Sequence, residues 1–208
     1  MRYTLPLIGV AAIAAAAIAI PQISVAQPGV ADPAKVVSGE YLVDADHSQV
    51  TFSVNHLGFS EYSGQFVQPT GSLSLDAANP AASRVEVVFP IDKVLTTSPH
   101  LDTHLKTPEF FDTAKYPEGR FTSTRVTVNG SSAAIAGNLT LKGVTRPVVL
   151  NARFVGAGIN PMSKKETVGF KATASINRSD FGIDYGLPVI SDRVDLVINA
   201  AFEAPGQK

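Results

Sequence analysis

Phe121–Leu141 reads FTSTRVTVNGSSAAIAGNLTL. From Phe121 to Val128 apolar and polar residues alternate, the period at which a strand presents one face to a core. Asn129-Gly130 then supplies the residue pair that a two-residue hairpin turn favours. The chain returns with Ile135, Leu139 and Leu141 on one face. Period two, a tight turn and period two again predict an antiparallel hairpin.

The same period extends outward in both directions. Tyr41–Val43 begins the series, and Val50, Phe52 and Val54 alternate with polar neighbours. Gly58 and Gly64 are expected to flank a turn. Phe66, and then Leu73 and Leu75, fall in two short strands separated by a bend at Pro69-Thr70-Gly71. Arg84–Phe89 is a further strand, and another is expected over Ile91–Leu95. Beyond the hairpin, Lys142-Gly143 turns the chain into Pro147–Val155. Strands follow on Val168, Phe170, Ala172, Ala174 and Ile176, and on Val194, Leu196, Ile198, Ala200 and Phe202. Eight or nine strands with short connections and no βαβ rhythm form an antiparallel meander. A sandwich would fit, but a closed barrel protects every edge, so the expected fold is all-β, an antiparallel barrel of about eight strands.

One stretch breaks the alternation. His100–Phe121, HLDTHLKTPEFFDTAKYPEGRF, concentrates charge, aromatic rings and two prolines. Pro108 and Pro117 are expected to bracket a short helical piece carrying Phe110 and Phe111, with Leu101 and Leu105 on the preceding turn. These apolar groups suit a cap over one barrel end. His100 and His104 lie one helical turn apart, and two such histidines with a carboxylate can hold zinc. Asp102, however, projects from another side of that helix, and no H-E-x-x-H pattern is present. A polar cap is therefore favoured over the alternative, a barrel-mouth enzyme or metal-binding protein using His100, His104 and Asp102.

Residues 1–26 have the layout of a cleavable signal peptide: Arg2, an apolar run from Leu5 to Ile20, Pro21, and Ser24-Val25-Ala26 before the cut. Cleavage is expected after Ala26, with export to the periplasm in a Gram-negative host. Residues 27–39, rich in proline and glycine, read as a flexible N-terminal arm. The domain covers 40–204, and 205–208 is a tail. With 17 basic against 18 acidic residues there is no basic stripe, so nucleic acid is not an expected partner. No cysteine is present, which excludes disulfides and thiolate chemistry. No nucleophile elbow or phosphate-binding glycine loop occurs. Asp44 and Asp46 suit turn formation before a strand, and Arg178 with Asp180 is expected to form an ion pair fixing the turn before Gly182.

On the inward faces Phe52, Phe66, Phe121, Phe170 and Phe202 mix with Ala172, Ala174 and Ala200. Small residues at such positions either leave a lumen or face large residues across a filled core. A lumen lined this way would take an apolar ligand.

Five motifs in order, YLVDADHSQVTFSVNHLGFSEYSGQF, LDTHLKTPEFFDTAKYPEGRFTS, GNLTLKGVTRPVVL, INRSDFGI and SDRVDLVINAAFEA, span residues 40–204. Together they resemble the YceI-like family of lipid- and polyisoprenoid-binding proteins. The resemblance implies an extended lipocalin-like barrel of eight strands whose lumen holds a long isoprenoid, quinone or fatty amide. It implies no catalytic residues, no cofactor besides that ligand, and a second copy as a partner to look for; separately, a quinone carried in the lumen would make a membrane redox protein a further partner to look for. The lipid-binding candidates are Phe52, Val54, Phe66, Phe110, Phe111, Phe121, Leu139, Leu141, Phe170, Ala172, Ala174, Phe181 and Ile198. The polar residues of the matching motifs are Asp44, His47, Asp102, His104, Arg178 and Asp180. Leu101 stands where the family pattern usually has a basic residue before the Asp of its D-x-H-L element.

Overall fold

The computed structural model describes residues 27–206. The expected signal peptide, 1–26, lies outside the described residues. Ten strand segments run in chain order: β1 (Gly39–Val43), β2 (Gln49–His56), β3 (Ser60–Val67), β4 (Thr70–Leu75), β5 (Arg84–Pro90), β6 (Glu118–Asn129), β7 (Ser132–Leu141), β8 (Val144–Ile159), β9 (Glu166–Asn177) and β10 (Arg193–Glu203). The single α-helix among the described residues, α1, is Pro99–Leu105.

The ten segments make eight staves. β1 pairs with β4 and β2 pairs with β3, so β1/β2 and β3/β4 are two long strands, each broken once, that form one hairpin. From β4 every strand pairs with the next as far as β10, which then pairs with both β1 and β2. The meander is a closed antiparallel barrel. At the break between β1 and β2 the buried Ser48 hydroxyl takes over the ladder. It donates to Ala201 O at 3.2 Å and accepts from Ala201 N at 3.0 Å, so the seam keeps its backbone groups paired.

Turn chemistry follows local sequence. Lys142 and Gly143 hold φ of +47° and +74°, the mirror-image turn that suits strand twist. The turn between β6 and β7 is Gly130-Ser131, one residue later than the Asn-Gly reading, because Asn129 pairs with Ser132. Three other expectations change. Gly64 does not flank a turn; it lies inside β3, buried opposite Phe52, whose ring occupies the place a Cβ would take. Ile91–Leu95 is not a strand: Ile91–Lys93 is a 3-10 turn, and only Leu95 bridges to Gln65. The helix of the insert is α1, earlier than the piece expected between Pro108 and Pro117. Ser98 caps it, accepting from Leu101 N, and Pro99 occupies its first turn. The chain from Lys106 to Pro117 is a run of turns.

Strand phase also shifts twice. One-residue bulges fall between Ser123 and Arg125 on β6 and between Phe154 and Gly156 on β8. A bulge reverses the inward set, so Phe121 and Ser123 face inward above it, and Val126 and Val128 below.

The β2–β3, β7–β8 and β9–β10 connections and the insert 91–117 meet at one barrel end, here the upper. The β4–β5, β6–β7 and β8–β9 turns meet at the lower. Two core clusters match these ends. The upper holds Phe66, Phe89, Ile91, Val94, Leu105 and Phe181; the lower holds Tyr41, Leu73, Ala157, Val168 and Phe202. The segment 27–39 lies against the lower end. Val30 exchanges two 3.0 Å backbone bonds with Ala157, and Val36 packs on the lower cluster.

Candidate functional site

A cavity of about 620 Å³ runs through the barrel, reaching side chains at both ends. Such a volume is in the range of small-molecule sites. Its wall is the inward set of the strands: Phe52 and Val54 of β2, Phe66 of β3, Phe121 of β6, Leu139 and Leu141 of β7, Phe170 and Ala172 of β9, and Ile198 of β10. Phe52 and Val54 point inward yet stay partly accessible, because they face the cavity. Ala172, paired with Ala152 on β8, leaves room beside the Phe154–Phe170 ring pair. Ala174 shares that face of β9 and is buried, but does not reach the cavity.

The insert forms the upper cover. Leu101, Leu105, Phe110 and Phe111 line the cavity, and Phe181 joins them from the turn after β9. Phe110 leans on Tyr185 and on His104, with ring centroids 5.2 and 4.9 Å away. At position 101, where a basic side chain would bring charge to the cavity, leucine extends the apolar wall. Pro33 and Val36 of the N-terminal segment line the lower end.

Polar side chains touch the cavity mainly at its ends: His56, Tyr62, Ser98 and the buried Arg178 above, and Asp76, Ser83, Arg84, Ser131 and Ser132 below. Most are occupied. The Tyr62 hydroxyl is 3.0 Å from Thr97 Oγ1, Asp76 Oδ1 accepts from Ala78 N and Asn79 N, and Arg84 Nη1 donates to Ala82 O and Ser83 O. Between the rims the wall offers nothing to a charged ligand, whose desolvation would go uncompensated.

Arg178 departs from expectation. It forms no ion pair with Asp180, which is exposed. The residue is 6% exposed, and its guanidinium donates to four carbonyls: Ser191 O at 2.9 Å, Ile183 O at 3.1 Å, Tyr185 O at 2.8 Å and Ile190 O at 3.1 Å. Burial pushes its pKa down from the ordinary arginine value. A planar fork of donors can serve several acceptors at once, and here one side chain moulds the whole β9–β10 loop. Asp192 closes the loop instead of Asp180, accepting from Ser179 N at 2.9 Å and from its hydroxyl at 2.7 Å.

Asp102 and His104 of the insert are likewise spoken for. Asp102 accepts from both Thr96 N and Thr96 Oγ1 at 2.7 Å, tying α1 to the chain before it. His104 Nε2 lies 2.7 Å from Glu109 Oε2. His100 is exposed and joins neither. Among the described residues no group of three histidine or carboxylate side chains could hold a metal ion. Asp44 accepts from Asp46 N and contacts His47 Nδ1 at 2.7 Å, which pushes the imidazole pKa up, at an exposed turn on the barrel wall.

Sequence reasoning missed Lys142. From the β7–β8 turn its Nζ donates to Pro108 O at 2.9 Å and to Gly182 O at 3.0 Å, bracing the insert and the β9–β10 loop together. The K-G dipeptide marked a turn; its reach into two other loops has no local signature.

A family model described as the YceI-like domain matches residues 41–202 of this chain. Protein YceI of Escherichia coli O157:H7 is 40% identical over 165 residues, which cover 78% of this chain and 86% of that protein. Among solved structures, Burkholderia cenocepacia BcnA superposes with a TM-score of 0.69 at 20% identity, covering 76% of this chain and 98% of the other. A polyisoprenoid binding domain from Saccharophagus degradans, implicated in plant cell wall breakdown, gives 0.59 at 19% identity, covering 79% and 98%. At those identities the two structures share the barrel fold with this chain.

Proposed function

The chain belongs to the YceI-like family, and from that premise we propose that it is a binding protein, not an enzyme, that holds a long apolar lipid in the barrel lumen. The observation that carries this reading is the lumen itself, apolar from Leu73 and Phe202 at one end to Leu101 and Phe111 at the other. Each methylene equivalent moved from water into such a wall gains about 0.8 kcal/mol. Length and shape would then select the ligand more than polar contacts do. A polyisoprenoid, an isoprenoid quinone or a fatty amide has the required chemistry, and the polyisoprenoid-binding description of the Saccharophagus degradans domain supports the first.

Export fits this role. A carrier for a water-insoluble chain is useful where the lipid must cross an aqueous space, and the leader at 1–26 supplies the route to the periplasm. Intact-mass measurement of the secreted chain should find Gln27 at its start.

The test of binding is extraction. Purified protein is treated with organic solvent and the extract is identified by mass spectrometry, and the stripped chain is then offered an isoprenoid quinone in detergent. Bound lipid or saturable uptake of quinone is expected. An empty extract together with no uptake ends the reading.

A further inference from the structure

The rim of the upper mouth carries apolar side chains that no other element covers. Phe59, at the tip of the β2–β3 hairpin, is 90% exposed, Leu57 is 47% exposed, and Val189 in the β9–β10 loop is 59% exposed. The two segments are joined: Leu57 N donates to Val189 O at 3.0 Å, and His56 bridges to Ile190. Their inner neighbours, His56 and Ile190, line the cavity. Apolar surface therefore continues from the lumen, over the rim, to the outside.

Two further observations set this rim apart. Leu57 holds φ +60°, a region that a bulky side chain occupies at a cost and that turns ordinarily give to Asn or Gly. Neither LGFS (57–60) nor YGLPVIS (185–191) contains a charged residue, and of the four residues that flank them three are acidic, Glu61, Asp184 and Asp192, the fourth being His56. An uncharged apolar tip beside a lipid-sized opening suits a surface of hydrocarbon and disfavours a densely anionic one. Met162 at the lower end is as exposed as Phe59, but it stands two and three residues from Lys164 and Lys165 and away from the lining.

We infer that this rim docks onto a zwitterionic lipid bilayer, with Phe59 and Leu57 entering its acyl region so that the upper mouth opens onto the membrane. The inference rests on the lipid-binding reading, since a lipid drawn along this rim keeps its chain out of water on the way to the lumen.

The experiment uses the chain from Gln27 onward, which contains all ten strands and both core clusters. It is sedimented with phosphatidylcholine vesicles beside Phe59→Ser, Val189→Ser and, as a control, Met162→Ser. The wild-type chain and Met162→Ser should partition onto vesicles with little response to added salt. Phe59→Ser should partition roughly tenfold less, the loss expected for withdrawing one phenyl ring from hydrocarbon, with an unchanged melting temperature. A wild-type chain that stays in the supernatant, or a Phe59→Ser chain that sediments like wild type, overturns the inference. So does a Phe59-dependent dimer in analytical ultracentrifugation without vesicle binding, which would assign the rim to a second copy. Quinone uptake from detergent micelles separates the two readings. Uptake without vesicle binding defeats docking alone, and absence of uptake defeats lipid binding itself.

Discussion

Phe111 stands edge-on to Phe66, with ring centroids 5.5 Å apart and planes at 78°. The contact joins the turns after α1 to the wall strand β3, and Phe66 in turn touches Phe52 and Phe89. The insert is thus held by the same ring cluster that forms the upper wall. Phe111→Ala should cost roughly 2 kcal/mol, below the value for a fully buried ring because Phe111 is only half-buried. It should also speed lipid release several-fold. Denaturant titration and a release-rate measurement check both parts; normal release would remove the insert from any gating role.

Arg178→Met should be the most damaging single change at the upper end. It leaves four loop carbonyls without their donor, an expected loss of about 3 kcal/mol or more. Arg178→Lys should not restore stability, because a compact ammonium does not span carbonyls arranged for a planar fork. A lysine variant as stable as wild type would refute the moulding role.

Lys142→Ala removes both braces between neighbouring loops. Because the ammonium is exposed, the stability loss should be small, about 1 kcal/mol. The sharper signature is local. Amide exchange should accelerate at 108–116 and 178–183 while β7 and β9 keep their protection. Uniform acceleration would mean global destabilisation instead.

These three residues show where sequence reasoning reached and where it stopped. The strands from Val50 to Val54 and from Phe121 to Leu141 were legible because half-buried strands must alternate. The bulges beside Thr124 and Val155 were not, since an extra residue changes phase without changing composition. Most residues of the cavity wall followed from periodicity, whereas Ala174, on the same face of β9, is buried outside it. Arg178 and Lys142 bond to backbone carbonyls, acceptors that every residue carries, so no partner residue type betrayed them. Asp180 looked like the partner of Arg178 for that reason. The helix α1 was displaced because Ser98-Pro99, a good start signal, lies just before the charged stretch that begins at His100.

Ala172→Phe should separate folding from binding. The added ring projects into the cavity, so stability should change by no more than about 1 kcal/mol, while quinone uptake falls sharply. Uptake equal to wild type would place the ligand elsewhere in the molecule.

Acid should loosen the β9–β10 loop. The hydrogen bond from Ser179 N holds the Asp192 carboxyl below its ordinary value of 3.8. A depressed folded pKa contributes stability that is full above the unfolded value and is lost as pH falls through the folded one. Proteolytic nicking within 178–192 should therefore rise below about pH 4 in the wild type. Asp192→Asn should be nicked faster at neutral pH and respond less to acid. A pH-independent wild type would exclude the carboxylate from loop closure.

The seam held by Ser48 and Ala201 joins residues 153 positions apart in the chain, and it has a kinetic meaning. Every other ladder between staves links staves that follow one another along the chain and can form as hairpins emerge. The ring alone must wait for β10, the last strand made. Until then both sheet edges and the whole apolar interior face water, and closure must overcome the entropy of the longest loop in the molecule. A nascent or truncated chain is therefore an open, adhesive sheet. Ring closure is the step at which the polypeptide stops being a liability to its neighbours.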